Sequence, residues 1–111
     1  MNKKYSLHYS DNLEIYNWIG HPDENPDRAR PVHFYFFADK KDQILSLAEK
    51  LNSYDFNIGH ITRSYNGQWL CMALREIVPY PDVMNRLTVL MMETAQKHDV
   101  VYDGWETVID A

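Results

Sequence analysis

The chain has 111 residues, 45% hydrophobic, 14% aromatic and 24% charged, which suits one folded domain and leaves too little chain for two of ordinary size. Eleven basic residues against sixteen acidic ones give a formal charge of −5, which counts against nucleic acid or an anionic membrane as the main partner, because both attract basic faces. Cys71 is the only cysteine, so no intramolecular disulfide can form and a cysteine-based metal site is disfavoured.

The N-terminal residues are polar, with no apolar run of signal-peptide length, and no window approaches the roughly 20 apolar residues of a membrane span. A soluble, reducing, cytoplasmic setting is the resulting expectation. Asp11 is placed to cap a short helix over residues 12–19, with Leu13, Ile15, Tyr16 and Ile19 as buried positions. Their spacing is imperfect, and a strand through residues 13–18 is the alternative. Residues 20–31 hold three of the five prolines and almost no apolar side chain, the composition of a loop. Residues 1–31 therefore read as an N-terminal appendage with a proline-rich loop, and residues 32–111 as the domain proper.

Residues 32–38 are apolar and aromatic almost throughout, as expected of a central strand. Asp39 follows as a candidate N-cap of a helix from about Lys40 to Ser53, with Asp42 at its third position. Ile44, Leu45, Ala48 and Leu51 form its apolar stripe. Residues 58–65 and 68–78 flank Asn66-Gly67, a strong hairpin signal. A two-residue turn would set Ile61 opposite Met72 and Arg63 opposite Leu70. Ile61, Leu70, Met72 and Leu74 would then share the core face, with Trp69, Cys71 and Ala73 on the other beside His60, Thr62 and Ser64. Asp82 is the expected cap of a second helix, whose stripe is Met84, Leu87, Met91, Thr94 or Ala95, and His98, widened by Val83 and Leu90. Residues 100–109 close the chain as a strand interrupted at Asp103-Gly104.

The order strand, helix, strand, strand, helix, strand with right-handed crossovers is the split βαβ, or ferredoxin-like, α+β arrangement: an antiparallel sheet with both helices on one face. The first and third strands belong in the middle, and they are the most apolar. The second and fourth are expected as edges, either of which could pair across a dimer, leaving monomer and homodimer both open.

Few residues carry a chemical signature. An RNA-recognition module of this topology needs aromatic platforms on its central strands within a basic, glycine-rich run. Tyr35 or Phe37 and Trp69 could serve as platforms, but residues 69–76 lack that opening and direct nucleic-acid binding is not expected. His8, His21, His33, His60 and His98 form no pair at metal-ligand spacing. His98, near a helix C-terminus, suits the dipole. Cys71 reads as a buried inert thiol. The four glycines are scattered, with no phosphate loop, and no carboxylate spacing marks an acid/base pair. No catalytic residue, cofactor or metal is predicted.

The charge is concentrated late. Residues 79–111 carry Arg86 and Lys97 against Asp82, Glu93, Asp99, Asp103, Glu106 and Asp110, a net of −4. The same region holds Tyr102-Asp103-Gly104-Trp105-Glu106-Thr107, where Asp103-Gly104 inside a strand reads as a bulge or turn that re-aims Tyr102 and Trp105.

Residues 95–107 resemble the closing segment of the ribonuclease E inhibitor RraB family, whose hallmark is a helix ending in A-x-x-x-x-V-x-Y-D-G-W. The resemblance extends back to Arg30-Pro31-Val32-His33-Phe34 and covers about 80 residues with the element order between. It implies a ferredoxin-like α+β fold and a small cytoplasmic, non-enzymatic protein that binds an RNA-degrading endonuclease of ribonuclease E type and lowers its activity. Namesake members continue into a long acidic C-terminal tail, whereas this sequence ends at Ala111, so any contribution of that tail to binding is expected to be missing. Asp103, Trp105, Glu106 and Asp110 are the expected partner contacts, with Tyr102 and Gly104 as the structural part of the motif. A small-molecule-sensing domain, using a pocket between sheet and appendage, and an immunity-type inhibitor of another nuclease are the alternatives.

Overall fold

Residues 30–38 alternate strictly between buried and half-buried positions, so this nearly all-apolar run serves one packed face and one partly open face of a sheet. In the computed structural model, which describes residues 2–5 and 27–108, it is the second strand of five. The elements are β1 (Asn2–Tyr5), β2 (Arg30–Ala38), α1 (Lys41–Ser53), β3 (Asn57–Arg63), β4 (Trp69–Ile77), α2 (Pro81–Lys97) and β5 (Val101–Val108). The sheet is antiparallel throughout, in the order β1-β5-β2-β4-β3. From β2 onward this is the ferredoxin-like split βαβ, with β2 and β4 in the middle and both helices on the face of Val32, Phe34 and Phe36.

One predicted edge is corrected. β5 is not free, because Asn2–Tyr5 pairs along it, with Tyr5 opposite Trp105 and Lys4 opposite Glu106. A four-residue polar strand has no hydrophobic alternation to announce it. β3 remains an edge, and β2 begins at Arg30, two residues before the expected start. The helix expected over residues 12–19, and its strand alternative, lie outside the described residues.

α1 buries Ile44, Leu47, Ala48 and Leu51, while Leu45 is 47% exposed, so the stripe keeps Ile44, Ala48 and Leu51 and takes Leu47 in place of Leu45. Its N-cap is Lys40, which has no side-chain oxygen to accept an N–H; Asp39 stands one residue too early and makes no cap bond. α2, by contrast, starts earlier than expected, with Tyr80 as N-cap and Pro81 in the first turn, where its missing N–H costs nothing. Its packed residues are Met84, Thr88, Met91, Thr94 and Ala95; Leu87 is only partly buried.

Both helices stop by the same device. Asp55 (φ +70°) and Asp99 (φ +56°) adopt the left-handed conformation. Phe56 N–H then donates to Leu51 O at 3.1 Å and Val100 N–H to Ala95 O at 2.9 Å. These bonds satisfy last-turn carbonyls and drop the apolar Phe56 and Val100 into the core.

The β3–β4 hairpin overturns the predicted register. Arg63 pairs with Trp69, Thr62 with Leu70 and Ile61 with Cys71, one residue off the two-residue-turn expectation. Gly67 N–H donates to Ser64 O (3.0 Å), Ser64 N–H to Gln68 O (2.8 Å), and only Gly67 has positive φ (+89°). That is a type I turn closed by a left-handed glycine, one residue longer than a type I′ turn. A one-residue shift exchanges faces, so Cys71 and Ala73 are buried under the helices with Trp69 and Ile61 packed beside them. Leu70, Met72 and Leu74 instead share the opposite face with His60 and Thr62.

Candidate functional site

The Tyr102–Trp105 run is a bulge. β2 takes two steps from Phe34 to Phe36 while β5 takes three from Trp105 back to Tyr102. The extra residue is absorbed at Asp103-Gly104, with Gly104 at φ +102°, a region that L side chains rarely occupy. Both Tyr102 and Trp105 therefore turn into the core. Tyr102 lies 5.2 Å from the Phe36 ring and 6.5 Å from the Phe34 ring. Its hydroxyl has no hydrogen-bond partner among the described residues, and burial first, then the Asp103 charge, hold its pKa far above the usual tyrosine value. Trp105 is 1% exposed. As a partner contact it is corrected: the bulge that makes its motif distinctive also buries it. Asp103 is exposed, Glu106 is half-buried, and Asp110 lies outside the described residues.

Glu106 leads to a cluster that the sequence reading did not assemble. It stands opposite His33 on β2, on the sheet face turned away from α1 and α2. Tyr35 O–H donates to Glu106 Oε1 at 3.3 Å, and His33 Nδ1 lies 3.9 Å from the same oxygen. The His33 and Tyr35 rings meet edge to face, centroids 6.4 Å apart. The His33 and Glu106 side chains are 22% and 20% exposed. Burial, the Glu106 charge and the hydrogen bond to it all raise the Tyr35 pKa, because each favours the protonated phenol. Strand alternation alone puts His33 and Tyr35 on one face; bringing Glu106 to them takes the β2–β5 register.

Apolar side chains surround the cluster. Val101, Phe37 and Leu70 form a row across β5, β2 and β4, with Val101 50% and Leu70 38% exposed. Met72 and Leu74 pair with Tyr35 and His33. Among the described side chains of β2 to β5 on this face there is no lysine or arginine. Trp69, which could have served with Tyr35 or Phe37 as a base-stacking platform, lies on the helix side. There Lys41 Nζ and Arg63 Cζ sit 5.1 and 5.6 Å from its ring centroid.

Other chemistry-bearing groups are accounted for by packing. Cys71 is buried between the central strands and the helices, and burial pushes its thiol up to about 11, the opposite of an activated nucleophile. His98 caps the C-terminus of α2 and shares a 3.1 Å hydrogen bond with Ser46, tying the two helices together. Among the described residues no group of three His, Cys, Asp or Glu side chains could hold a metal ion, and no helix is long and apolar enough to cross a membrane.

A family model described as Regulator of ribonuclease activity B matches residues 11–107, nearly the whole chain. The chain belongs to the RraB family. No curated protein matches it. The match spans β2 to β5 almost completely and includes Asp103, Trp105 and Glu106, so the bulge and the His33–Tyr35–Glu106 cluster both lie within the matched region. Membership also makes the activity of a ribonuclease the thing regulated, and a ribonuclease is a protein partner.

Proposed function

We propose that this RraB-family protein is a non-enzymatic regulator that binds an endoribonuclease of ribonuclease E type in the cytoplasm and inhibits it by direct contact. The observation that carries this reading is the sheet face around Glu106. It combines exposed apolar side chains with carboxylates and hydrogen-bonding groups, the mixture found in protein–protein interfaces. Among the described side chains of β2 to β5 this face offers no lysine or arginine for phosphates, and Lys4 of β1 is the basic register position beside it, too sparse a charge to track a phosphate backbone. Asp103, exposed at the bulge, belongs to the same proposed contact surface.

The test is a pull-down of a ribonuclease E-type enzyme with the full chain, followed by an RNA-cleavage assay at increasing protein. Co-purification and a dose-dependent fall in cleavage are expected. No co-purification and unchanged cleavage with excess protein would overturn the reading.

A further inference from the structure

Among the described strands, β3 pairs with β4 alone, so its outer edge presents backbone groups with no ladder partner. Ser64 N–H donates to Gln68 O across the hairpin, and successive residues of an antiparallel ladder point to opposite sides. The N–H and C=O of Ile61 and Arg63 therefore point outward. The register shift between Ile58 and His60 ends the regular edge, which runs over residues 60–64. It holds no lysine or proline, the residues that commonly guard such an edge.

Two cations stand at the end of this edge. Lys41 Nζ and Arg63 Cζ lie 5.1 and 5.6 Å from the centroid of the Trp69 ring, and Trp69 is the register partner of Arg63. Among the described residues neither cation has a carboxylate at ion-pair distance. Like charges gathered on one ring repel each other, and an anion beside both relieves that.

The flank of α1 above β3 adds an apolar contact. Lys41, Leu45 and Asn52 share one stripe of the helix. Lys41 reaches Trp69, and Asn52 Nδ2 donates at 3.3 Å to the O of Phe56, the residue before β3. Leu45, between them and 47% exposed, thus overlooks the edge beside the half-buried Ile58 and Ile61.

Charge selects the occupant. Symmetric pairing of residues 60–64 with a second copy would set the two Arg63 side chains on a cross-strand diagonal of about 7–8 Å, with both Lys41 side chains nearby. That repulsion disfavours the chain itself. An RNA strand supplies anions but no peptide groups to pair with Ile61 and Arg63. An acidic extended peptide supplies both.

We propose that the β3 edge receives an extended segment of the protein partner as a further antiparallel strand, with an acidic residue opposite Arg63 and an apolar one, two positions later, opposite Ile61. The acidic side chain meets Arg63 and Lys41, and the apolar one meets Ile61 and Leu45. The residue between them, opposite Thr62, falls on the other face and extends the row Val101, Phe37, Leu70, Thr62. This rests on the reading that the protein acts by binding another protein, and it continues that contact surface round to the edge of the sheet.

The experiment is an NMR titration of the full chain with the end-blocked peptide Thr-Glu-Thr-Val-Thr. Saturable amide shifts centred on Ile61 and Arg63 are expected, with a Kd on the order of millimolar for so short a strand. Lysine in place of the glutamate should weaken binding roughly fivefold. N-methylation of the valine removes the donor to Ile61 O and should abolish the response. N-methylation of the central threonine, whose N–H faces away, should leave it. The double variant Lys41→Glu, Arg63→Glu should reverse the preference and favour the lysine peptide. No response, equal binding of the two peptides, or indifference to valine N-methylation would overturn the assignment. So would a dimer in sedimentation equilibrium that Thr62→Lys dissociates, because a second copy would then hold the edge. In a binding assay with a ribonuclease E-type enzyme, the double variant should lower affinity roughly tenfold. A peptide response without ribonuclease binding keeps the edge site and removes that partner. Ribonuclease binding indifferent to the double variant removes the edge site and keeps the partner.

Discussion

Replacing Gly104 with alanine tests whether the β5 bulge holds the core. The chain offers an internal reference, because Gly67 and Gly104 both have positive φ, +89° and +102°. A side chain at either position carries a backbone penalty of about 1–3 kcal/mol. At Gly67 a Cβ would meet only Arg63 Nη2, at 3.9 Å, in a hairpin tip that can relax, so the cost belongs at the low end of that range. Gly104 is buried, in a strand bonded to β2, so the backbone has less room to relax and the cost belongs at the upper end of that range. Gly104→Ala should therefore lose about 2–3 kcal/mol, against about 1 kcal/mol for Gly67→Ala. For a domain of this size each kcal/mol lowers Tm by about 4–8 °C. Urea unfolding followed by far-UV circular dichroism measures both, with an unchanged m-value showing that the same surface unfolds. A Gly104→Ala variant no less stable than Gly67→Ala would refute the view that this glycine's conformation fixes Tyr102 and Trp105 in the core.

Leu47→Ala should cost about 2–5 kcal/mol and Leu45→Ala within about 0.5 kcal/mol in the same assay, since only Leu47 is buried; the reverse order would restore the predicted helix face. Trp105→Ala should destabilise by about 3–5 kcal/mol, and a variant of unchanged stability that failed to bind a partner would return Trp105 to the surface. The Cys71 thiol should resist an alkylating agent at pH 8 in the native protein and react fully in urea. Its pKa is raised from 9.0 to about 11, so the folded form keeps a proton that the unfolded chain releases. Cys71 thus contributes stability that is complete below pH 9 and lost as the pH rises toward 11, and Cys71→Ala should flatten that part of the stability–pH curve.

Where the residues act on their neighbours in sequence, their pattern anticipated the structure. Two amphipathic segments separated by aromatic strands specify the element order, and the concentration of apolar residues in 32–38 and 69–74 specifies which strands are central, because a strand covered on both edges and one face cannot be polar. Asp103-Gly104 announced the bulge, since glycine alone accepts that backbone without strain. The faces of β4 were not legible. They turn on a single dihedral choice at the hairpin: Asn66 keeps negative φ, the loop gains one residue, and every side chain beyond it exchanges faces. The small side chains of Cys71 and Ala73, opposite Phe36 and Phe34, were the available clue, because a close-packed layer sets small residues against large ones.

The candidate site divides the same way. Sequence by itself determined that Glu106 follows a bulge and that His33 and Tyr35 share a face of one strand, both consequences of local geometry. Only the tertiary structure brought Glu106 to within hydrogen-bonding distance of Tyr35, 71 residues away in the chain. It also turned Trp105 inward and gave the last strand a second neighbour in β1. Those outcomes depend on the register between distant strands, which is decided by how the assembled core packs and not by any residue's own preference.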